Sequence, residues 1–305
     1  MDEALETSLD AGVSSVMLFG LPEEKDDAGS RAWAEEGVVQ RALRRARERY
    51  SGLFRITNVC LCECTGTGRC PAKGGTAMKG IAYGVGVGPG DPELMTVKAI
   101  RLIRENKVIA VSGTDPKRSV AYQIAVQNVP ELAEKELVPI EMPMVKDRAI
   151  QAEAHRKGAR IIADYLDRGE NVVYLTLGDP TIYSTFSYLQ HILEAEGYPV
   201  ELVSGVPSFC AAAARLNLPL VEWDEPLHVL PAVHRTDHPL DRDGTYVLMK
   251  SGRSMTAVKD LLRKSGRDVS AVENCGMETE KVYRSTEEIP DQAGYFSLII
   301  ARETP

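Results

Sequence analysis

The stretch IAYGVGVGPGDPELMTVKAIRLIRENKVIAVSG, residues 81–113, decides the architecture. An apolar run, IAYGVGV, enters a cluster of glycines. ELMTVKAIRLIRENK then carries apolar residues at helical spacing, and KVIAVSG returns to a short apolar run. Strand, glycine turn, amphipathic helix and strand in that order make a βαβ unit. The alternation continues toward the C-terminus. QAEAHRKGARIIADYLDRG reads as helix, NVVYLTLG as strand, YSTFSYLQHILEAEG as helix and PVELVSG as strand. PSFCAAAARLNL reads as helix, LHVLPAV and TYVLMK as strands, SMTAVKDLLRKSG as helix and YFSLIIAR as a last strand. Such alternation implies an α/β architecture with largely parallel sheets.

The residues before Met78 have a different character. SSVMLFG reads as a strand, GVVQRALRRARERYSG as a helix closed by glycine, and FRITNVCLCE as a second strand. That is one βαβ unit, with too little core to stand alone. PAKGGTA, residues 71–77, has the composition of a linker.

With 305 residues, two or three compact units are expected, and 44% hydrophobic with 26% charged residues is ordinary for a globular protein. No apolar run reaches membrane-span length, and the acidic start MDEALETSLDAG is unlike a signal peptide, so a cytoplasmic protein is expected. The net charge of −8 argues against a general nucleic-acid or membrane-surface binder, while leaving room for a local basic pocket. Four of the six cysteines, Cys60, Cys62, Cys64 and Cys70, are clustered, which reads as a metal or redox-sensitive site rather than a disulfide framework.

GVGVGPGD, residues 84–91, follows a strand and precedes a helix, so its backbone N–H groups can line a cleft at the strand ends. Pro89 occupies the third glycine position of the dinucleotide fingerprint, and no Gly-Lys-Ser/Thr of a P-loop follows. Alone it is a tight turn. Two further elements accompany it. YLTLGDPTIYSTFSYL, residues 174–189, runs from a buried strand into a Gly-Asp-Pro turn. SGVPSFCAAAARLNLPLVE, residues 204–222, leads from a turn into a helix of tiny residues, which another backbone or a flat ligand can approach closely.

In this order and spacing the three elements resemble the tetrapyrrole (corrin/porphyrin) methyltransferases. GVGPGDPELMTVKA, LTLGDPTIYSTFSYL, SGVPSFCAAAARLNLPL and ENCGMETEKVY are similar to the precorrin-2 C20-methyltransferase branch in particular. The resemblance covers residues 78 to about 303, and Met78 is where a protein of this family would ordinarily begin. It implies a two-domain tetrapyrrole methylase fold, residues 78–203 and 204–305, with a trough between the domains for S-adenosyl-L-methionine. It also implies a homodimer and a tetrapyrrole acceptor.

Carried over motif by motif, Pro89 borders the donor, and Leu177, Gly178, Asp179 and Ile182 hold its amino-acid part and ribose. Pro207 and Ser208 lie beside it, with Met249 and Gly276 near the adenine. Acceptors of this kind carry many carboxylates. Lys117, Arg118, Lys146, Arg148, His234, Arg235 and His238 are the candidate cationic lining, though each also suits a solvated surface; the expectation is that part of the set faces the substrate. The acceptor carbon brings its own nucleophilicity, so the protein has to orient it and take up a proton. Tyr183, His155 and His234 are candidates for that base. Whether the acceptor is metal-free or cobalt-loaded stays open, as does another methylase of the same superfamily.

Residues from about 9 to 70 resemble an internal piece of porphobilinogen synthase (delta-aminolevulinic acid dehydratase), a TIM-barrel enzyme, through SSVMLFG, GVVQRALR and the Cys-x-Cys of NVCLCE. Cys60, Cys62 and Cys70 fall where that family binds zinc, but most of the barrel and its substrate-binding lysines are missing, so no synthase activity is expected. The fragment, residues 1–70, is either a remnant joined by gene fusion or by an error in gene assembly, or a unit that binds Zn²⁺ or a porphobilinogen synthase partner.

Overall fold

The computed structural model describes residues 2–23, 25, 34–50, 54–57, 79–143, 145, 147–231 and 240–303. The chain divides into two compact units, Met1–Met78 and Lys79–Pro305.

In the first unit helix α1 (Asp2–Asp10) is followed by strand β1 (Ser15–Leu18), helix α2 (Val38–Arg49) and strand β2 (Phe54–Thr57). The strands pair in parallel, Ser15 opposite Phe54 and Leu18 opposite Thr57, so the expected βαβ unit is present. Helix α1 was not foreseen. It docks through Leu5, buried with Ala46 of α2, while the Asp2 carboxylate accepts from Arg45 and Arg49 and Tyr50 Oη donates to Glu6.

The second unit opens with a five-stranded sheet in the order β5-β4-β6-β3-β7: β3 (Ala82–Gly86), β4 (Val108–Ser112), β5 (Glu136–Ile140), β6 (Val172–Thr176) and β7 (Val200–Val203). Every pairing in it is parallel. All five residues of central strand β6, VVYLT, are buried, as expected where helices cover both faces. On one face α3 (Val97–Glu105) and α4 (Val120–Asn128) pack over Val85, Ile109, Val111, Val173 and Leu175. On the other, α5 (Arg148–Leu166) and α6 (Phe186–Ala195) pack over Ala82, Val108, Ala110, Val172 and Tyr174. The connections leaving neighbours β3 and β6 therefore run to opposite faces, and that divergence opens a crevice at the carboxyl ends of the strands.

Two helices begin where their caps place them. Thr96 Oγ1 accepts from Ala99 N, starting α3 after a separate 3-10 turn at Pro92–Leu94. Asp147 accepts from Ala149 N and Ile150 N and starts α5 at Arg148, ahead of the segment read as helical.

The second sheet has the order β11-β10-β12-β9-β8, from β8 (Leu227–Pro231), β9 (Thr245–Met249), β10 (Asp268–Glu273), β11 (Lys281–Tyr283) and β12 (Ser297–Arg302). Helix α7 (Ser208–Leu216) covers Val247, Met249, Val272, Leu298 and Ile300 on one face. Helix α8 (Met255–Ser265) covers Tyr246, Leu248, Val269, Ala271 and Ile299 on the other.

The expectation of largely parallel sheets fails here. Only β8 and β9 pair in parallel; β12 runs antiparallel to both β9 and β10, and β11 antiparallel to β10. The β9-α8-β10 crossover keeps its two strands in the same direction, but β12 inserts between them, which alternation along the chain does not reveal.

The three loops at the crevice are knitted together by backbone. Gly88 and Gly178 exchange hydrogen bonds, Gly178 N to Gly88 O at 2.7 Å and the reverse at 3.3 Å. A Cβ on Gly86 would stand 2.5 Å from Gly178 O and 2.7 Å from Gly205 N, closer than any side chain permits. We expect Gly86→Ala to destabilise the full chain by about 1–3 kcal/mol, read as a lower urea midpoint with an unchanged far-ultraviolet dichroism spectrum. A midpoint equal to wild type would mean that the loops do not meet this closely.

Candidate active site

A cavity of about 400 Å³ lies at the carboxyl ends of β3 and β6 and extends to the ends of β9 and β10 of the second sheet. Eight of the nine residues expected at the donor site line it: Pro89, Leu177, Gly178, Asp179, Ile182, Pro207, Ser208 and Met249. Gly276 does not, although its neighbours Cys275 and Met277 do. It packs instead on the first loop, where an added Cβ would stand 2.5 Å from Asp91 N.

Asp179 is the chief organiser of the floor. Its Oδ1 accepts from Thr181 N at 2.8 Å and from the Thr181 hydroxyl, and its Oδ2 accepts from Gly205 N at 3.0 Å. The carboxylate thus ties the Gly-Asp-Pro turn to the third loop. Gly178 ahead of it has φ +73°, a conformation open to glycine and costly to other residues.

A band of hydroxyls lies along one wall. Ser112 Oγ is 2.5 Å from Tyr174 Oη, Thr185 Oγ1 is 3.4 Å from that phenol, and Thr176 Oγ1 is 2.8 Å from Ser184 Oγ. Burial raises the Tyr174 pKa above the ordinary phenol value, so it is neutral and able to donate at physiological pH. Neither this band nor Lys250 was foreseen. The visible signal for the lysine was its place directly after the apolar run TYVLM.

Lys250 Nζ donates to Tyr183 O at 3.1 Å and stands 5.9 Å from the Tyr183 ring. Tyr183 Oη donates to Val229 O at 3.0 Å. Both residues have positive φ, +49° for Tyr183 and +57° for Lys250, so each bends its chain sharply at the cavity wall. Burial lowers the Lys250 pKa below the usual lysine value.

Of the candidate bases, Tyr183 lines the cavity. His155 is on α5, stacked on Tyr188 at 4.5 Å between ring centroids, and is not part of the lining; burial lowers its pKa. Lys117 and Arg118 are exposed on the turn just before Ser119 and Val120 of the lining, and Arg148 is exposed at the start of α5. Lys146, His234, Arg235 and His238 lie outside the described residues, as do Cys60, Cys62, Cys64 and Cys70. Among the described residues no group of three or more His, Cys, Asp or Glu side chains could hold a metal ion, and no helix is long and apolar enough to cross a membrane.

Residues 82–290 match the sequence model of the tetrapyrrole (corrin/porphyrin) methylases. The chain belongs to that family. The probable cobalt-precorrin-2 C(20)-methyltransferase of Methanocaldococcus jannaschii is 34% identical over 201 residues, 66% of this chain and 85% of that protein. The precorrin-2 C(20)-methyltransferase of a Sinorhizobium species is 32% identical over 233 residues, 72% of this chain and 94% of that protein. Among solved structures, the uroporphyrin-III C-methyl transferase of Thermus thermophilus in complex with S-adenyl homocysteine is similar with a TM-score of 0.54. It is 26% identical and spans 73% of this chain and 98% of that one.

Residues 1–81 match the model of delta-aminolevulinic acid dehydratase. The dehydratase of Ruminiclostridium josui is 47% identical over 68 residues, 22% of this chain but only 33% of that enzyme. The methylase match begins at residue 82, directly after the dehydratase match ends.

One prediction concerns Cys275 in the methylase cavity. Burial, reinforced by Glu280, pushes its thiol up to about 11, so at pH 8 roughly one molecule in a thousand carries the thiolate. Iodoacetamide at pH 8 is expected to spare Cys275 in the native protein and to alkylate it in urea, read by peptide mass spectrometry. Rapid native labelling of Cys275 would contradict its buried position.

Proposed function

We propose that this chain transfers the methyl group of S-adenosyl-L-methionine to C20 of precorrin-2, or of its cobalt-loaded counterpart, in cobalamin synthesis, acting as a cytoplasmic homodimer. The observation that carries the reading is the meeting of the GPGD loop, the Gly-Asp-Pro turn and the Gly-Val-Pro turn around one cavity. Relatives aligned over this part of the chain are C(20)-methyltransferases.

The cavity suits the donor on chemical grounds. Its volume of about 400 Å³ lies in the range of small-molecule sites, and its lining is mostly apolar with hydroxyls and turn backbone. A donor with a flat adenine, a zwitterionic end and no phosphate needs such a slot rather than a P-loop lysine. When bound, S-adenosyl-L-methionine supplies an electrophilic methyl group on a cationic sulfonium.

The chain's own residues do the rest. Pro89 borders the donor, Leu177, Gly178, Asp179 and Ile182 hold its amino-acid part and ribose, Pro207 and Ser208 lie beside it, and Met249 with the segment around Gly276 meets the adenine. Holding an already nucleophilic carbon in line with the methyl supplies much of the acceleration, because the bound geometry replaces a rare encounter. Of the described candidate bases Tyr183 is the one in the lining, but its hydroxyl donates to Val229 O and so already carries its proton. Its place is to shape the wall, and no proton acceptor is assigned. We assign residues 78–203 and 204–305 to the two methylase domains, and residues 1–70 to a dehydratase remnant joined by gene fusion.

Purified protein given S-adenosyl-L-methionine and either acceptor is expected to add a single methyl at C20, read by mass and by nuclear magnetic resonance of the product. Methylation at another ring carbon, or of neither acceptor, would overturn the assignment. Asp179→Ala should weaken donor binding at least tenfold in calorimetry, since the turn loses its tie to Gly205; unchanged affinity would remove the turn from the donor site. A chain of residues Met78–Pro305 should fold and methylate alone. An insoluble or inactive truncate would count against the remnant reading.

A further inference from the structure

Resting on the reading above, we propose that Lys250 is a specificity-determining residue that takes a side-chain carboxylate of the tetrapyrrole acceptor and thereby sets which meso carbon faces the donor. Of the described side chains that line the cavity, Lys250 is the one cation and Asp179 the one carboxylate. Asp179 cannot serve as its counter-charge. Both of its oxygens are engaged within the loops, with Thr181 and with Gly205 N.

The ammonium of Lys250 therefore sits half-buried against a neutral carbonyl, Tyr183 O at 3.1 Å, which satisfies one of its three donors. A desolvated cation without a counter-charge is a prepared anion site, because an incoming carboxylate restores the interaction that water supplied. Its anchoring is firm. Lys250 follows the fully buried strand β9 directly, and its backbone is fixed at φ +57°.

The acceptor is the reactant that brings many carboxylates, on acetate and propionate arms around a near-symmetric ring. Rotating such a ring exchanges one meso position for another while leaving its bulk unchanged. Shape alone discriminates these orientations poorly, whereas a single fixed cation on one wall selects among them, since the arms differ in length. The donor carries a carboxylate too, on its zwitterionic end, but that end is assigned to the Gly-Asp-Pro turn, whereas Lys250 directly follows Met249, assigned to the adenine. Donor affinity in the lysine variants separates the two.

The test uses the full chain as wild type, Lys250→Met and Lys250→Arg. Binding of sirohydrochlorin and of its neutral methyl ester is followed by absorbance titration, and donor affinity by calorimetry. A charged hydrogen bond at a desolvated site corresponds to roughly a ten- to hundredfold change in affinity. We expect Lys250→Met to lose that factor for the free acid and little for the ester, with donor affinity kept within about twofold, and Lys250→Arg to regain most of it. Equal binding of the free acid by wild type and Lys250→Met would overturn the proposal while leaving the methylase reading intact. A parallel loss of donor affinity would overturn it too, by assigning the lysine to the donor. Wild type that neither binds nor methylates a tetrapyrrole would sink both readings. As an independent readout, Lys250→Met is expected to release a mixture of C-methylated isomers; a single isomer would count against a role in orientation.

Discussion

The methylase half of this chain depends on three peptide segments that approach more closely than side chains allow. Gly86 at the end of β3, Gly178 in the turn after β6 and Gly205 after β7 meet backbone to backbone. The carboxylate of Asp179 and the paired hydrogen bonds of Gly88 and Gly178 hold them together. Adjacent parallel strands whose connections leave to opposite faces would otherwise end in a gap filled by water. Closing that gap with main chain gives the cavity a floor of fixed amide dipoles, rigid because no rotamer is involved. Pro89, Gly178 and Pro207 then stand where the floor puts them.

Much of this was legible in the chain. Apolar runs and helix-period segments alternate from residue 81 onward, although α4, β5, β10 and β11 were not read, and three motifs, each merely a turn alone, acquire meaning from their order. What stayed hidden has a common physical cause. The insertion of β12 between β9 and β10 is a long-range pairing choice, and β12 has the same apolar run whichever way it points. The hydroxyl band joins Ser112 to Tyr174 and Thr185 from separate elements, a contact made by the sheet rather than by spacing. Helix α1 is acidic and short, and it is recognisable only once Ala46 is seen to bury Leu5. Lys250 was not singled out because nothing in TYVLMK tells which side of the strand end is a cavity.

The first unit illustrates how little a single βαβ element can bury. Leu5 and Ala46 form its buried cluster among the described residues, while Met17, Phe19 and Leu21 around β1 are 54%, 56% and 66% exposed. In a closed barrel such a strand has neighbours on both sides and helices outside. Here, among the described residues, it has a partner strand and two helices, and the Arg45 and Arg49 side chains that pair with Asp2 are more than half exposed, where ion pairs contribute little. The match of this unit to a third of a dehydratase explains its composition. The contrast with the two fully covered sheets of the methylase unit lies in the number of layers.

The position of β12 has a consequence for synthesis on the ribosome. It is the last of the five strands of its sheet to be made, yet it occupies the centre of the order β11-β10-β12-β9-β8. Until it emerges, β9 and β10 each present an open edge facing the slot that β12 will fill, and the apolar sides of α7 and α8 have only part of a sheet to cover. In the first sheet β6 likewise inserts between β3 and β4, but the edge strand β7 is still to come, whereas in the second sheet the inserted strand is the last of the five and zips from both sides at once. A nascent chain stalled before Ser297 would therefore be the species most in need of a chaperone, with a finished half tethered to an adhesive one.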